Sequence, residues 1–187
     1  MQDNDLMELK KYAKPPKLVT IFLNSLWIIG LILAVVFAVA DKNIGAAVMS
    51  LIFSAIFAVI CALNSDDYSR VDKTVKNAEQ QGDLPTLLSD FRNGEQAFKD
   101  SLRLGGRYLI GKNTGTIITY GEITRIYQYV HKTNLIEDSR MLKVETTNGK
   151  TYDLCKLPLR GKADDEVAQV ISYIVSINGN VQVGYKK

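Results

Sequence analysis

The chain has 187 residues and is close to charge balance, with 23 basic side chains, 20 acidic ones and a single histidine. That length suits one or two structural units. So slight a basic excess argues against a nucleic-acid partner, and two distant cysteines with one histidine cannot build a typical zinc site. Neither cofactor nor metal is expected.

The near-zero mean hydropathy hides an uneven distribution. No Asp, Glu, Lys or Arg occurs between Lys17 and Asp41, nor between Lys42 and Asp66, whereas the remainder to Lys187 is polar and charged. Residues 1–17 read as a cytoplasmic N-terminal tail, with a short helix from Leu6 that Pro15-Pro16 ends. Lys10, Lys11, Lys14 and Lys17 in this tail lie within reach of anionic headgroups, which makes them a topology signal and candidate lipid contacts.

Residues 18–40 and 44–64 each reach roughly 30 Å or more at 1.5 Å per residue, enough for a bilayer core. Only Asp41-Lys42-Asn43 separates them, so they are expected as an antiparallel transmembrane hairpin over 18–64. A signal peptide ending at Ala38-Val39-Ala40 is disfavoured, because its apolar region would be far shorter. Lysines before the first run and Arg70, Lys73 and Lys76 after the second outweigh Lys42 in the turn. Both termini are therefore expected in the cytoplasm, as a two-span protein of the cell membrane.

Small residues recur along both runs: Gly30, Ala34 and Ala38 in the first, and Ala46, Ser50, Ser54, Ala58 and Ala62 in the second. Such faces let helix backbones approach closely. They are expected either to pack within the hairpin or to meet a second copy or another protein. Asn24, near Trp27, is expected to hydrogen-bond a neighbouring helix or a headgroup. Neither run contains a buried charge, so an ion path is not indicated.

Residues 65–101 read as a helical stalk. Ser65 opens a helix whose thin stripe is Tyr68, Val71, Val75 and Ala78, and Gly82-Asp83 ends it. A second helix is expected over 84–100, opened by Pro85 and weakened at Gly94. The period then changes to alternation. Strands are expected at 108–111, 116–120, 123–132, 141–147 and 150–157, with a loop over 134–139. Asn148-Gly149 predicts a type I′ hairpin turn. An amphipathic helix over 164–177 follows, with Val167, Val170, Ile171, Ile174 and Ile177 on one stripe. An antiparallel sheet of about five strands with one covering helix makes 102–187 an α+β domain.

Several residues carry a resemblance. They are Tyr108-Leu109-Ile110-Gly111, the segment from Ile117 through Gly121-Glu122-Ile123 to Tyr127, the hairpin from Leu142 through Asn148-Gly149-Lys150, and the closing helix. In this order the segment resembles the bacterial pleckstrin-homology-like (PH-like) group. The resemblance implies a bent antiparallel sheet closed by a C-terminal helix, often joined to membrane helices. It also suggests that Arg103, Arg107, Lys112 and Arg125 share a rim and meet headgroup phosphates.

Chemistry is sparse. His131 lies in a strand with no nucleophile assigned to it. Asp164-Asp165-Glu166 complements a helix dipole. Gly105-Gly106-Arg107 and Gly111-Lys112-Asn113-Thr114-Gly115 lack the spacing and the following helix of a phosphate loop. Cys61 and Cys155 are expected as free thiols. The function expected is therefore non-enzymatic: a membrane-anchored binding or regulatory module contacting a protein partner or the inner leaflet. The alternative is an accessory subunit of a membrane transport or secretion complex.

Overall fold

A computed structural model describes residues 2–133, 136–158 and 163–184; the side chains of residues 2, 17–20, 23, 63–68, 136 and 163 fall outside it. Expectations placed on the side chains of Lys17, Ser65, Asp66, Asp67 and Tyr68, or on Asn134 and Leu135, lie outside the described residues. The chain forms two compact units, Pro15–Ser69 and the pair of segments Met1–Lys14 and Arg70–Lys187.

The first unit holds helix α2 (Lys17–Val39) and most of the apolar part of α3 (Ile44–Gln80). The turn between them uses Lys42 at φ 50°. Asn43 then caps α3, its Oδ1 accepting the Ala46 N–H at 3.0 Å, as short polar side chains do at helix starts. The two helices touch through small residues. Ser54 Oγ donates to the Trp27 carbonyl at 2.7 Å, and a Cβ on Gly30 would lie 3.0 Å from Ser54 Cβ. Ala34, Ala47 and Ser54 are buried, whereas Ile21, Ile32, Val35, Val48, Ile52, Ile56 and Val59 are exposed. Over Ile44–Ala62 the helix is long and apolar enough to cross a membrane. The corresponding run of described residues in α2, Asn24–Val39, is shorter.

The second unit is α+β. It begins with α1 (Gln2–Ala13), whose Asp3 and Asp5 in the first turn and Lys10 and Lys11 in the last complement the helix dipole. Leu9 and Ala13 are fully buried, so this segment is built into the domain where the sequence suggested a tail. The end of α3 contributes Val71, Val75 and Ala78, and α4 (Leu84–Asn93) contributes Leu87, Leu88 and Phe91.

Among the described residues eight strands make two four-stranded sheets, rather than the single sheet of about five expected. The first runs in the order β1 (Glu95–Ala97), β2 (Leu102–Leu104), β3 (Tyr108–Gly111), β4 (Ile117–Thr119), antiparallel throughout. The second has the order β7 (Thr151–Leu157), β6 (Ile136–Thr146), β5 (Ile123–Thr133), β8 (Gln182–Val183), with β8 parallel to β5. Helix α5 (Ala163–Ile177) buries Val167, Val170 and Ile174 in the core shared by the two sheets.

All four residues of β3 are buried because the first sheet is covered on both faces. Leu109 and Ile118 point into the core with α5, while Tyr108, Ile110 and Ile117 point into a second core with α1, α3 and α4. Successive side chains alternate faces, so a uniformly apolar strand reports two cores.

Three local expectations are corrected. The helix expected over 84–100 stops at Asn93. Gly94 takes an extended conformation, and a side chain there would collide with the Asp90 carbonyl. Beyond it Phe98, Lys99 and Asp100 all have positive φ, 52°, 55° and 62°. The loop expected over 134–139 is, from Ile136, already strand β6. Finally, Gly149 alone has positive φ in the β6–β7 turn. Gly149 N–H bonds to the Thr146 carbonyl and Thr146 N–H to the Lys150 carbonyl, a three-residue loop ending in a left-handed glycine rather than a type I′ turn.

Candidate functional site

The four basic residues expected to share a phosphate-binding rim are divided among three places, and each faces an acid. Arg103 lies over the rings of Tyr12 and Phe91, donates to the Phe91 carbonyl, and pairs with Asp100 at 3.1 Å. Lys112 reaches the same Asp100 at 3.2 Å. Arg107 pairs with Asp83 at 3.2 Å, and Arg125, in the other sheet, lies 3.7 Å from Glu145. Arg103 is thereby tied into the fold, whereas the Arg107 side chain is 56% exposed and the buried Arg125 Nε has no hydrogen-bond partner among the described residues.

Asp100 also anchors α1, because its carbonyl accepts the Tyr12 hydroxyl at 2.9 Å. Burial, reinforced by the Asp100 charge, pushes the Tyr12 hydroxyl well above the ordinary tyrosine range. Main-chain bonds complete the attachment: Asn113 N–H to the Tyr12 carbonyl and Gly115 N–H to the Ala13 carbonyl. Of the tail lysines, Lys10 and Lys14 both pair with Asp72, at 3.2 and 2.6 Å. Burial raises the Asp72 pKa somewhat, yet the two ammonium groups hold it below the usual carboxylate value. Lys11 is exposed, and the Lys17 side chain lies outside the described residues.

The glycine loop has a definite occupant. Asp90 of α4 accepts the N–H groups of Gly106, Arg107 and Tyr108 at 3.0, 2.8 and 2.8 Å. Consecutive N–H groups turned toward one point form an anion cradle, and here a carboxylate of the chain itself fills it. A side chain on Gly105 would run into Asp90, so the glycine serves this packing.

Of the small-residue faces, Gly30, Ala34 and Ser54 are buried between the helices, Ala46, Ser50 and Ala58 are half-buried, and Ala38 and Ala62 are exposed. Ala47, off the expected stripe, is buried as well. Asn24 accepts the Trp27 ring N–H at 3.2 Å within its own helix. His131 lies on the exposed end of β5, 2.7 Å from Asp138. Cys155 is buried and its thiol pushed up to about 12, first by burial and then by Glu166.

The second unit also holds a groove of about 190 Å³. One wall is the end of α3, where Arg70, Thr74, Asn77 and Gln81 recur on one helical face. The opposite walls are strand β4 and the β6–β7 hairpin, including Tyr152. Arg70 stacks on the Tyr152 ring at 4.7 Å. The volume is below the 300–1,000 Å³ of drug-sized ligand pockets. Hydroxyls and amides dominate the lining, which offers hydrogen-bond donors and acceptors. The stripe on α3 was legible in the sequence only through its apolar partner face, Val71 and Val75; nothing there announced the wall opposite.

Among the described residues, no group of three or more His, Cys, Asp or Glu side chains is placed to hold a metal ion. Compared with protein families, with curated proteins and with solved structures, the chain matches none.

Proposed function

We propose that this protein is a membrane-anchored, non-enzymatic binding or regulatory module. In this reading residues 18–40 and 44–64 cross the cell membrane as a two-helix hairpin, both termini lie in the cytoplasm, and the α+β unit is PH-like. It contacts a protein partner or the anionic inner leaflet.

One observation carries the proposal: α2 and α3 are dressed inside out. Small residues such as Gly30, Ala34 and Ser54 are turned inward, while Ile21, Val35, Ile52, Ile56 and Val59 are turned outward. In water such a surface would expose far more contiguous apolar area than soluble proteins tolerate. In lipid the same arrangement is the stable one, because close backbone contact then holds the helices together. The polar groove in the other unit supports a binding role.

The test is fractionation and topology. The intact chain is expected to stay with membranes through alkaline and high-salt washes, and a reporter fused after Lys187 is expected to be active only in the cytoplasm. Recovery of the chain in the supernatant without detergent would refute the reading.

A further inference from the structure

We propose that the chain forms a parallel two-fold dimer through α2, in which the Asn24 amides of two copies hydrogen-bond to each other. The inference rests on the membrane reading above and names a second copy of the chain as the partner of the hairpin.

Asn24 lies six residues beyond Leu18, where the first span begins, or about 9 Å along a helix that rises 1.5 Å per residue. The hydrocarbon core is about 30 Å thick, so Asn24 stands more than halfway to its middle. A short side chain at that depth reaches neither headgroups nor water, and an amide left unanswered there is unfavourable. Asn24 nevertheless sits on the exposed surface of α2. Its Oδ1 accepts the Trp27 ring N–H at 3.2 Å, which uses one of two lone pairs. The Nδ2 hydrogens have no partner among the described residues. By contrast, Ser25 is satisfied within the helix, its Oγ donating to the Phe22 carbonyl at 2.7 Å.

Asn24 is also the polar member of a regular seam. Asn24, Ile28, Leu31, Val35 and Ala38 follow one another at spacings of four, three, four and three residues, and all five are exposed. That is the seven-residue period of a left-handed helix pair. Leu31 and Val35 each come one position after a residue buried against α3, Gly30 and Ala34, and so lie about 100° further round the helix. The seam and the contact with α3 therefore occupy different faces and are usable together. Symmetry decides what opposes the seam. Copies inserted with one topology present α2 in parallel, so in a two-fold dimer Asn24 faces its counterpart. A carboxamide both donates and accepts, and each Nδ2 can supply the other copy's Oδ1. A single asparagine in an apolar heptad seam fixes register and helix number. A lipid chain offers the amide nothing, and an unrelated helix would need a matching polar group at the same depth.

The experiment reads energy transfer between donor-labelled and acceptor-labelled copies of the full chain in phosphatidylcholine vesicles, over a wide range of protein-to-lipid ratios. Transfer is expected to fall on dilution with lipid as a monomer–dimer equilibrium requires. Asn24→Leu is expected to weaken association roughly five- to tenfold, the scale of interhelical amide hydrogen bonds. Asn24→Gln, which keeps the amide, is expected to retain most of it. Leu31→Ala is expected to weaken association too, and Leu33→Ala, on the other side of the helix and equally exposed to lipid, to leave it unchanged. Transfer no greater than that of randomly mixed monomers at every ratio would overturn the proposal. So would association that Asn24→Leu leaves intact, or a loss with Leu33→Ala as large as with Leu31→Ala. These results are read on chain that stays with the vesicles through an alkaline wash, so they leave the membrane reading standing. Release of the chain by that wash would overturn the membrane reading and the dimer together.

Discussion

Asp90 shows how one side chain settles a loop. Its carboxylate holds three consecutive N–H groups, and hydrogen bonds to charged groups contribute more than neutral ones. Asp90→Ala is expected to lower unfolding stability by about 2 kcal/mol, measured by thermal or denaturant unfolding of the intact protein in detergent, with the largest loss of exchange protection at 106–108. Lys99 shows the opposite case. It is exposed and sits in the middle of three left-handed residues, a conformation that costs a residue with a Cβ about 1–2 kcal/mol. Lys99→Gly is therefore expected to raise stability by about 1 kcal/mol, and a loss would show that the lysine side chain is needed. Neither feature was legible in the sequence. Gly105-Gly106 read as a turn but not as a cradle for a residue on a distant helix, and Phe98-Lys99-Asp100 carries none of the glycine or asparagine that marks left-handed backbone.

At the scale of elements, sequence and structure agree where one face of an element decides its fate. The periodicity of 164–177, the strands after Arg103 and the stop at Gly82-Asp83 were all readable, because each follows from local pattern or turn chemistry. Strands β1 and β2 were missed: three residues each is too short for alternation to register, and Phe91 and Phe98 mimic a helical stripe across Gly94. The helix pair in the first unit gives a direct test of packing. Gly30→Leu forces a side chain into the 3.0 Å approach to Ser54, and is expected to cost about 1–3 kcal/mol. Gly45→Ala, whose nearest neighbour is the Asn43 side chain at 3.6 Å, is expected to leave the thermal midpoint within a degree or two.

The contact between α1 and the end of α3 is sensitive to acid. The folded Asp72 pKa lies below its unfolded value, so the stabilisation is present above about pH 4 and fades as pH falls through the lower, folded pKa. Protection of the α1 amides, taken relative to their intrinsic exchange rates, is expected to fall on acidification across that window, and Asp72→Asn is expected to flatten the dependence.

At the scale of the molecule, the α+β class was legible, but the partition of the chain was not. Linear reading set residues 1–17 apart, because four lysines and a diproline look like a flanking signal. What hid the true assignment is that Leu9 and Ala13 meet Val71, Val75 and Phe91 only in three dimensions. A fragment starting at Asp66 is therefore expected to be less stable than the same domain with α1 rejoined by a flexible linker. Leu9→Ala in the intact protein is expected to cost about 2–5 kcal/mol. Equal unfolding midpoints for the two fragments would show that α1 is dispensable.

That split has a consequence for biosynthesis. The first fourteen residues emerge from the ribosome long before the strand turn that receives them, at Asn113 and Gly115. Both greasy segments are made in between. Helix α1 must wait until its docking surface is translated, and, under the proposed membrane reading, an insertion event that sent the two ends of the hairpin to opposite compartments would leave the domain unable to close.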